Sequence, residues 1–377
     1  MSSPTPPPSA PHDPPPRPAA AGRGTGQPPN LSRRSLIALA LGAGVTAAAV
    51  PWSSGSSSSA SAVSLTPVTL ALDWTPNTNH TGIYVAQQLG YFREEGIELR
   101  ILPYGSTAPE TLISTYKTDF GISYQDGTTE AYAAGGDITS VYAILQKTDV
   151  AIGVSAKSSI TSPAQLDGKT YAGYGSPLEV PMLQYVIKAA GGTGVFKDVT
   201  LNTSAYQAVY SGQADFAMPE PSWEVLQAKE VGEPLRTFEF GDYGFPNIYS
   251  AIISSSQRFL KANGPLAKRF LAAVTRGYVY AVQRPVDAAN LLIQANESAL
   301  SGSRALVLES AQLEAAEYYT NAEGQVGVQT SQNWKALTDF MFQNGILTDA
   351  AGKALGAEPP ISALFTNAYL PTSVSAA

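Results

Sequence analysis

The chain has 377 residues, with 23 Lys and Arg against 30 Asp and Glu, two His and no Cys. The acidic balance counts against nucleic acid as a partner. The absence of Cys excludes a disulfide framework, a thiolate metal site and a lipid-modified cysteine.

Residues 1 to 62 do not read as folded protein. "SSPTPPPSAPHDPPPRPAAAGRGTGQPPN" is rich in Pro, Gly, Ala and Ser and offers almost nothing for a core. In "LSRRSLIALALGAGVTAAAVPW", Arg33 and Arg34 precede an apolar run of roughly 16 residues, too short for a membrane span. The segment resembles a twin-arginine export signal. Ala60, Ser61 and Ala62 fit a small-residue cleavage site, so cleavage after Ala62 is expected. It would remove four Arg and one Asp, leaving 19 basic against 29 acidic residues, a net charge of about −10. The remainder, about 310 residues, is large for one core and suits two lobes.

From Pro67 onward strand-like and helix-like runs alternate, which predicts an α/β fold with largely parallel sheets. "VTLALDW" reads as a strand, "GIYVAQQLGYFREEG" as a helix ending at Gly96, and "IELRILPYG" as the next strand. "APETLISTYKT" (helix), "DFGISY" (strand), "TTEAYAAGG" (helix) and "ITSVYAILQ" (strand) follow. A second, shorter series runs from "KTYAGYG" to "LRTFEFG". Two extended, Ser-rich runs, 150 to 158 and 249 to 256, bracket it as hinge strands crossing between lobes would. The expected division is 63–153 with 254–377 in the first lobe and 154–253 in the second. The rest reads as helical, and "PLAKRFLAAVTRGYVYAVQRP" places Leu266, Phe270, Ala273, Val274, Gly277, Tyr278 and Val282 on one face.

Catalysis by His is nearly excluded by count, because His12 lies in the tail and leaves His80 alone. No H-x-x-x-H pair, Walker loop or G-x-S-x-G occurs, and no cofactor or metal is expected. "GYGSP" at 173 to 177 is a weak nucleotide signal whose plainer reading is a strand-to-helix turn. More informative are aromatic and amide residues at the C-terminal ends of predicted strands, where open α/β sheets bind ligands. Trp74, Asn77, Asn79 and His80 follow the first strand, and Tyr124 and Gln125 follow "DFGIS". Tyr174 and Ser176 end "TYAGYGS", while Glu220 and Trp223 follow "ADFAMP". Such residues suit a planar heteroaromatic ring bearing an amine, stacked on Trp or Tyr and held by amides and a carboxylate. Asn79 or Thr81 is also expected to cap the helix that follows.

"LDWTPNTNHTGIYVAQQLGYFREEGIEL", "DFGISYQDGTTEAYAAG", "KTYAGYGSPLE", "ADFAMPEPSWE" and "DFMFQNGIL" resemble the bacterial binding proteins for the thiamine precursor formylaminopyrimidine. These serve ABC importers and share a larger family with the fungal thiamine-pyrimidine synthases. The resemblance runs from about Pro67 to Leu347. It implies a two-lobed, type II periplasmic-binding-protein fold with two hinge strands, which closes on its ligand. It also implies an exported, extracytoplasmic monomer, peripheral to the membrane, that works with an ABC permease and ATPase and is not an enzyme. The site residues it points to are Trp74, Asn77, Asn79, His80, Tyr124, Gln125, Ser176, Glu179, Glu220 and Trp223, with Tyr174 where the family often has Trp. "PEPSW" replaces the family's F-E-G-W segment and implies a reshaped pocket. The synthases use a Lys and a His where this chain has Ser123 and Gly127, together with a Cys-rich segment it lacks. Receptors for a flavin, a sulfonate or nitrate are the alternatives within the same class.

Overall fold

The computed structural model describes residues 64–201, 205–373 and 375–376. The expected tail, twin-arginine run and cleavage position lie outside the described residues.

Two five-stranded mixed sheets organise the chain. The first contains β1 (Thr66–Ala71), β2 (Ile97–Leu102), β3 (Phe120–Ser123) and β4 (Thr139–Ala143). The second contains β5 (Ala151–Ser155), β6 (Thr170–Gly173), β7 (Lys197–Thr200), β8 (Phe216–Ala217) and β9 (Leu235–Glu239). The chain then returns to the first sheet as β10 (Ile252–Ser255), giving the orders β2-β1-β3-β10-β4 and β7-β6-β8-β5-β9. β1 pairs parallel with β2 from Thr66↔Ile97 to Ala71↔Leu102, and β6 pairs parallel with β7 and β8.

Each sheet takes its antiparallel strand from the chain that has just crossed from the other. β5 runs antiparallel to β8 and β9, and β10 runs antiparallel to β3 and β4. The Ser-rich runs expected as hinge strands are these two strands, and the crossing itself falls just before each. There the two passes are tied together mainly through side chains. Asn247 accepts from the Thr148 N–H at 2.9 Å and donates to the Gln146 carbonyl at 2.9 Å, while the Asp149 N–H donates to Ser250 Oγ at 2.7 Å.

The first sheet packs under the helix Gly264–Gln283, which buries Phe270, Ala273, Val274, Gly277 and Tyr278 as its spacing predicts. This helix crosses Thr81–Gln88 closely, because a Cβ on Gly277 would overlap the Gly82 carbonyl and one on Gly82 would strike the Tyr278 ring. The second sheet has its own core, around Ile152, Val154, Tyr171, Leu183 and Phe216. Residues 254–377 do not all pack with the first sheet. The helix Ser331–Gln343 sets Trp334 against Tyr249, Ile252 and Leu364, yet places Leu337 and Met341 in the second core. An amphipathic pattern identifies the buried face of that helix but not which of two sheets receives it.

Candidate functional site

The C-terminal ends of both sheets face a single cleft of about 430 Å³, within the range of small-molecule sites. The first sheet supplies Asp73 and Trp74 after β1, Tyr104 after β2, and Tyr124 and Asp126 after β3. Tyr174, Ser176 and Glu179 come from the turn after β6, and Met218, Glu220, Trp223 and Glu224 from the segment after β8. Both crossings complete the wall, with Asp149 and Val150 from one and Ile248, Tyr249 and Ser250 from the other. Of the residues expected from sequence, Trp74, Asn77, Tyr124, Tyr174, Ser176, Glu179, Glu220 and Trp223 line this cleft.

Asn79, His80 and Gln125 do not, and each has an inward-facing task instead. Asn77 caps the short turn Thr78–His80, its side chain accepting from the Asn79 N–H at 3.1 Å. The expectation that Asn79 or Thr81 caps is thus corrected, because the turn begins before the α-helix does and needs its acceptor earlier. Asn79 is buried, and its carbonyl accepts from Tyr278 OH at 2.6 Å. Gln125 is also buried, receiving the Tyr249 N–H at 3.0 Å and donating to the Asn333 carbonyl at 3.1 Å. It braces the second crossing from below.

His80 is fully buried, and its Nδ1 faces the Asn77 N–H at 3.3 Å. That donor assigns the ring proton to Nε2, which donates to Asp73 Oδ1 at 2.8 Å. Asp73 Oδ2 receives Tyr124 OH at 2.8 Å. Burial alone would raise the Asp73 pKa, but the hydrogen bonds from His80 and Tyr124 outweigh it and hold the carboxyl below its usual value. The interior polar group His80 therefore orients two residues of the cleft wall without reaching the cleft.

The "GYGSP" turn is shaped by Glu179. Its carboxylate accepts from the N–H groups of Tyr174, Gly175 and Ser176 at 3.1 to 3.3 Å and from Tyr171 OH at 3.0 Å. A row of backbone N–H groups that could cradle an anion is filled by the chain's own carboxylate. The segment after β8 owes its course to its prolines. Pro219 covers Gly153 of β5, where no larger side chain would fit, and its carbonyl accepts the Ala151 N–H at 3.0 Å. Pro221 opens a single π-type turn, Pro221–Val225, which carries Trp223 and Glu224. Trp223 packs against a cluster that includes Leu292 of the helix Pro285–Ala295 and Val307 of the helix Arg304–Glu317.

Aromatic rings stand in two groups. Trp74 and Tyr104 lie 4.8 Å apart at 51°, and Tyr174 and Tyr206 lie 5.9 Å apart at 58°. Trp74, Tyr104 and Tyr174 remain substantially exposed, at 37, 47 and 39%. Between them the cleft is acidic. Burial pushes Asp149 up to about 6 and Glu224 to about 7, and burial followed by the charge of Glu224 raises Glu220 well above the ordinary range. Sequence reading missed Asp73, Tyr104, Asp126, Asp149, Tyr206 and Glu224. Asp73 was legible, since it abuts Trp74 at the end of β1. Asp149 was not, since it reaches the cleft only through the crossing.

The sequence family described as "NMT1/THI5 like" matches residues 77–288. A formylaminopyrimidine-binding protein of Halalkalibacterium halodurans is 28% identical over 283 residues, covering 74% of this chain and 85% of that protein. A 4-amino-5-hydroxymethyl-2-methylpyrimidine phosphate synthase of Legionella pneumophila is 29% identical over 233 residues, covering 60% and 73%. Among solved structures, the ligand-binding component of an ABC-type import system from Staphylococcus aureus superposes with a TM-score of 0.63 at 11% identity, covering 82% of this chain and 99% of that one. The alkanesulfonate-binding protein of Xanthomonas axonopodis pv. citri gives 0.58 at 17% identity, covering 74% and 94%. The shared architecture is the two-lobed α/β fold of periplasmic binding proteins.

Proposed function

Because the chain belongs to the NMT1/THI5-like family, we propose that it is the extracytoplasmic solute receptor of an ABC importer and binds an aminopyrimidine thiamine precursor such as formylaminopyrimidine. The observation that carries this reading is the lining of the cleft, where Trp74, Tyr104, Tyr174 and Trp223 stand among carboxylates and, among the described residues, no Lys or Arg is present. Aromatic faces bind a flat ring by stacking, worth about 1 to 3 kcal/mol per ring by analogy with bases, and carboxylates accept from ring amines. A sulfonate or nitrate would ask for cationic or free N–H donors, and the N–H groups after β6 are already bonded to Glu179. The likeness to a sulfonate receptor is therefore taken as one of fold.

The remaining proposed elements follow from this reading. The lobes close around the ring, the segments ahead of β5 and β10 act as the hinges, and a permease and ATPase accept the closed form. The lobes are proposed to divide just ahead of β5 and just ahead of β10, so that residues 151–153 join the second lobe and Ile252 and Ile253 the first. The bounds expected from sequence, 153/154 and 253/254, cut both strands. The inner face of Ser331–Gln343 is proposed to join the second lobe. Ligand contacts are proposed for Trp74, Asn77, Tyr124, Tyr174, Ser176, Glu220 and Trp223. Differential affinity for the closed arrangement is what drives the closure.

Titration calorimetry on residues 63–377 tests the assignment. Formylaminopyrimidine should bind with a measurable heat and be recovered chemically unchanged, and taurine, nitrate and riboflavin should bind more weakly. No heat with the pyrimidine would remove the ligand assignment, and conversion of the bound pyrimidine would favour the enzymatic branch of the family.

A further inference from the structure

Ring shape is only part of what the cleft reads. Among the described residues, six carboxylates line it, from Asp73, Asp126, Asp149, Glu179, Glu220 and Glu224, with no Lys, Arg or His beside them in the lining. The protein itself engages three of them. Asp73 is held by His80 and Tyr124, Asp149 by the N–H (3.2 Å) and hydroxyl of Ser222, and Glu179 by the turn after β6.

The other three face the cleft with capacity to spare. Among the described residues, no hydrogen bond reaches the Glu220 side chain, which faces the carboxylates of Glu224, Asp149 and Asp73 and lies near the hydroxyls of Tyr124, Tyr174 and Tyr206. Glu224 uses one oxygen to accept the Glu220 N–H at 3.0 Å. Asp126 is met by the backbone N–H groups at the start of its own helix, Gln125–Ala133. Asp126 follows β3 of the first sheet, and Glu220 and Glu224 follow β8 of the second, so both sheets contribute spare carboxylate oxygens to the same cleft.

We propose that the cleft selects its ligand by charge, taking a flat ring that carries a positive charge or acquires one there by taking a proton at a ring nitrogen, as an aminopyrimidine can, with Asp126 after β3 and Glu220 and Glu224 after β8 as the selecting groups. This rests on the reading of the cleft as a flat-ring receptor and adds a charge requirement to it. Partly desolvated carboxylates that face one another repel, and a cation placed between them offsets that repulsion where a neutral ring leaves it. An anion adds to the repulsion and meets no free N–H cradle, so discrimination comes from an unfavourable term as well as a favourable one. Trp74 and Trp223 supply faces that attract a cation further.

A charge series on one ring shape tests the proposal. Benzamidinium, benzamide and benzoate are nearly isosteric and differ by one unit of charge at each step. Displacement of tryptophan emission at pH 8 and low salt should show benzamidinium binding at least tenfold more tightly than benzamide, with benzoate undetectable. Raising the salt should narrow the first ratio. The paired variant Asp126→Asn with Glu224→Gln should bring the benzamidinium to benzamide ratio within about threefold while keeping the wild-type circular dichroism spectrum. Equal affinities for the cation and the neutral ring, or no binding of benzamidinium, would overturn it. Formylaminopyrimidine in the same assay keeps the two readings apart. If it binds and benzamidinium does not, the charge proposal falls alone; if benzamidinium binds and the pyrimidine does not, the pyrimidine assignment falls alone.

Discussion

Glu314 shows how much one side chain can report on this site. It is fully buried, one carboxylate oxygen accepts from Thr78 Oγ1 at 2.7 Å, and the other has no partner. Burial, followed by the charge of Asp149, raises its pKa to about 8. The folded value lies above the unfolded one, near 4.5, so the folded state holds more protons between them and stability falls as pH rises across that window. One such group changes stability by at most about 1.4 kcal/mol per pH unit there. Glu224 and Asp149 act in the same direction, toward about 7 and about 6. The ligand-free melting temperature should therefore decline from pH 5 to pH 8.5, and Glu314→Gln should make that decline shallower; an unchanged slope would contradict the assignment. At the cleft wall, Trp223→Ala and Glu220→Gln should each weaken pyrimidine binding by more than about 1 kcal/mol in calorimetry. Unchanged affinity in both would move the site elsewhere.

Helix packing fixes the position of the first wall. Thr81–Gln88 carries the loop that holds Asp73, Trp74 and Asn77, and it is pressed onto Gly264–Gln283 through Gly82 and Gly277. A side chain at 277 has nowhere to go, since a backbone carbonyl occupies the space. Gly277→Val should cost about 3 kcal/mol or more, since overpacking at a well-packed contact typically costs 1 to 3 and this one meets backbone. Urea denaturation checks it, and a cost under about 1 kcal/mol would contradict the contact. The apolar stripe of the long helix was legible in its 3.6-residue spacing, as were β1 to β4 of the first sheet, whereas β10 was legible only as an extended hinge run. The segment after β8 was not. It begins in a π-type turn and becomes α-helical only at Leu226, because Pro221 and the packing of Pro219 on β5 fix its entry.

At the scale of the whole chain, the segment carrying Trp223 meets the helix Arg304–Glu317, with Lys229 Nζ 2.7 Å from Glu309 Oε1. That pair is exposed and contributes little by itself, about 0 to 1 kcal/mol. The proposed closure instead draws on the ligand, and small-angle scattering should show a smaller radius of gyration on addition of the pyrimidine; an unchanged radius would argue against a clamp. N-terminal sequencing of exported protein should begin at Val63, and a start upstream of Ala60 would contradict the expected cleavage. What the sequence determined alone was the set of alternating elements and the residues at the strand ends, because periodicity and turn chemistry are local. It also supplied the absence of Cys and the scarcity of His, which are matters of count. Only the tertiary structure decided that Asn79, His80 and Gln125 turn inward while Tyr104, Asp126, Asp149 and Glu224 reach the cleft. Which side of a loop faces a cavity depends on what packs behind it, and the partners, Tyr278, Asp73 and Tyr249, come from distant parts of the chain or from across a turn.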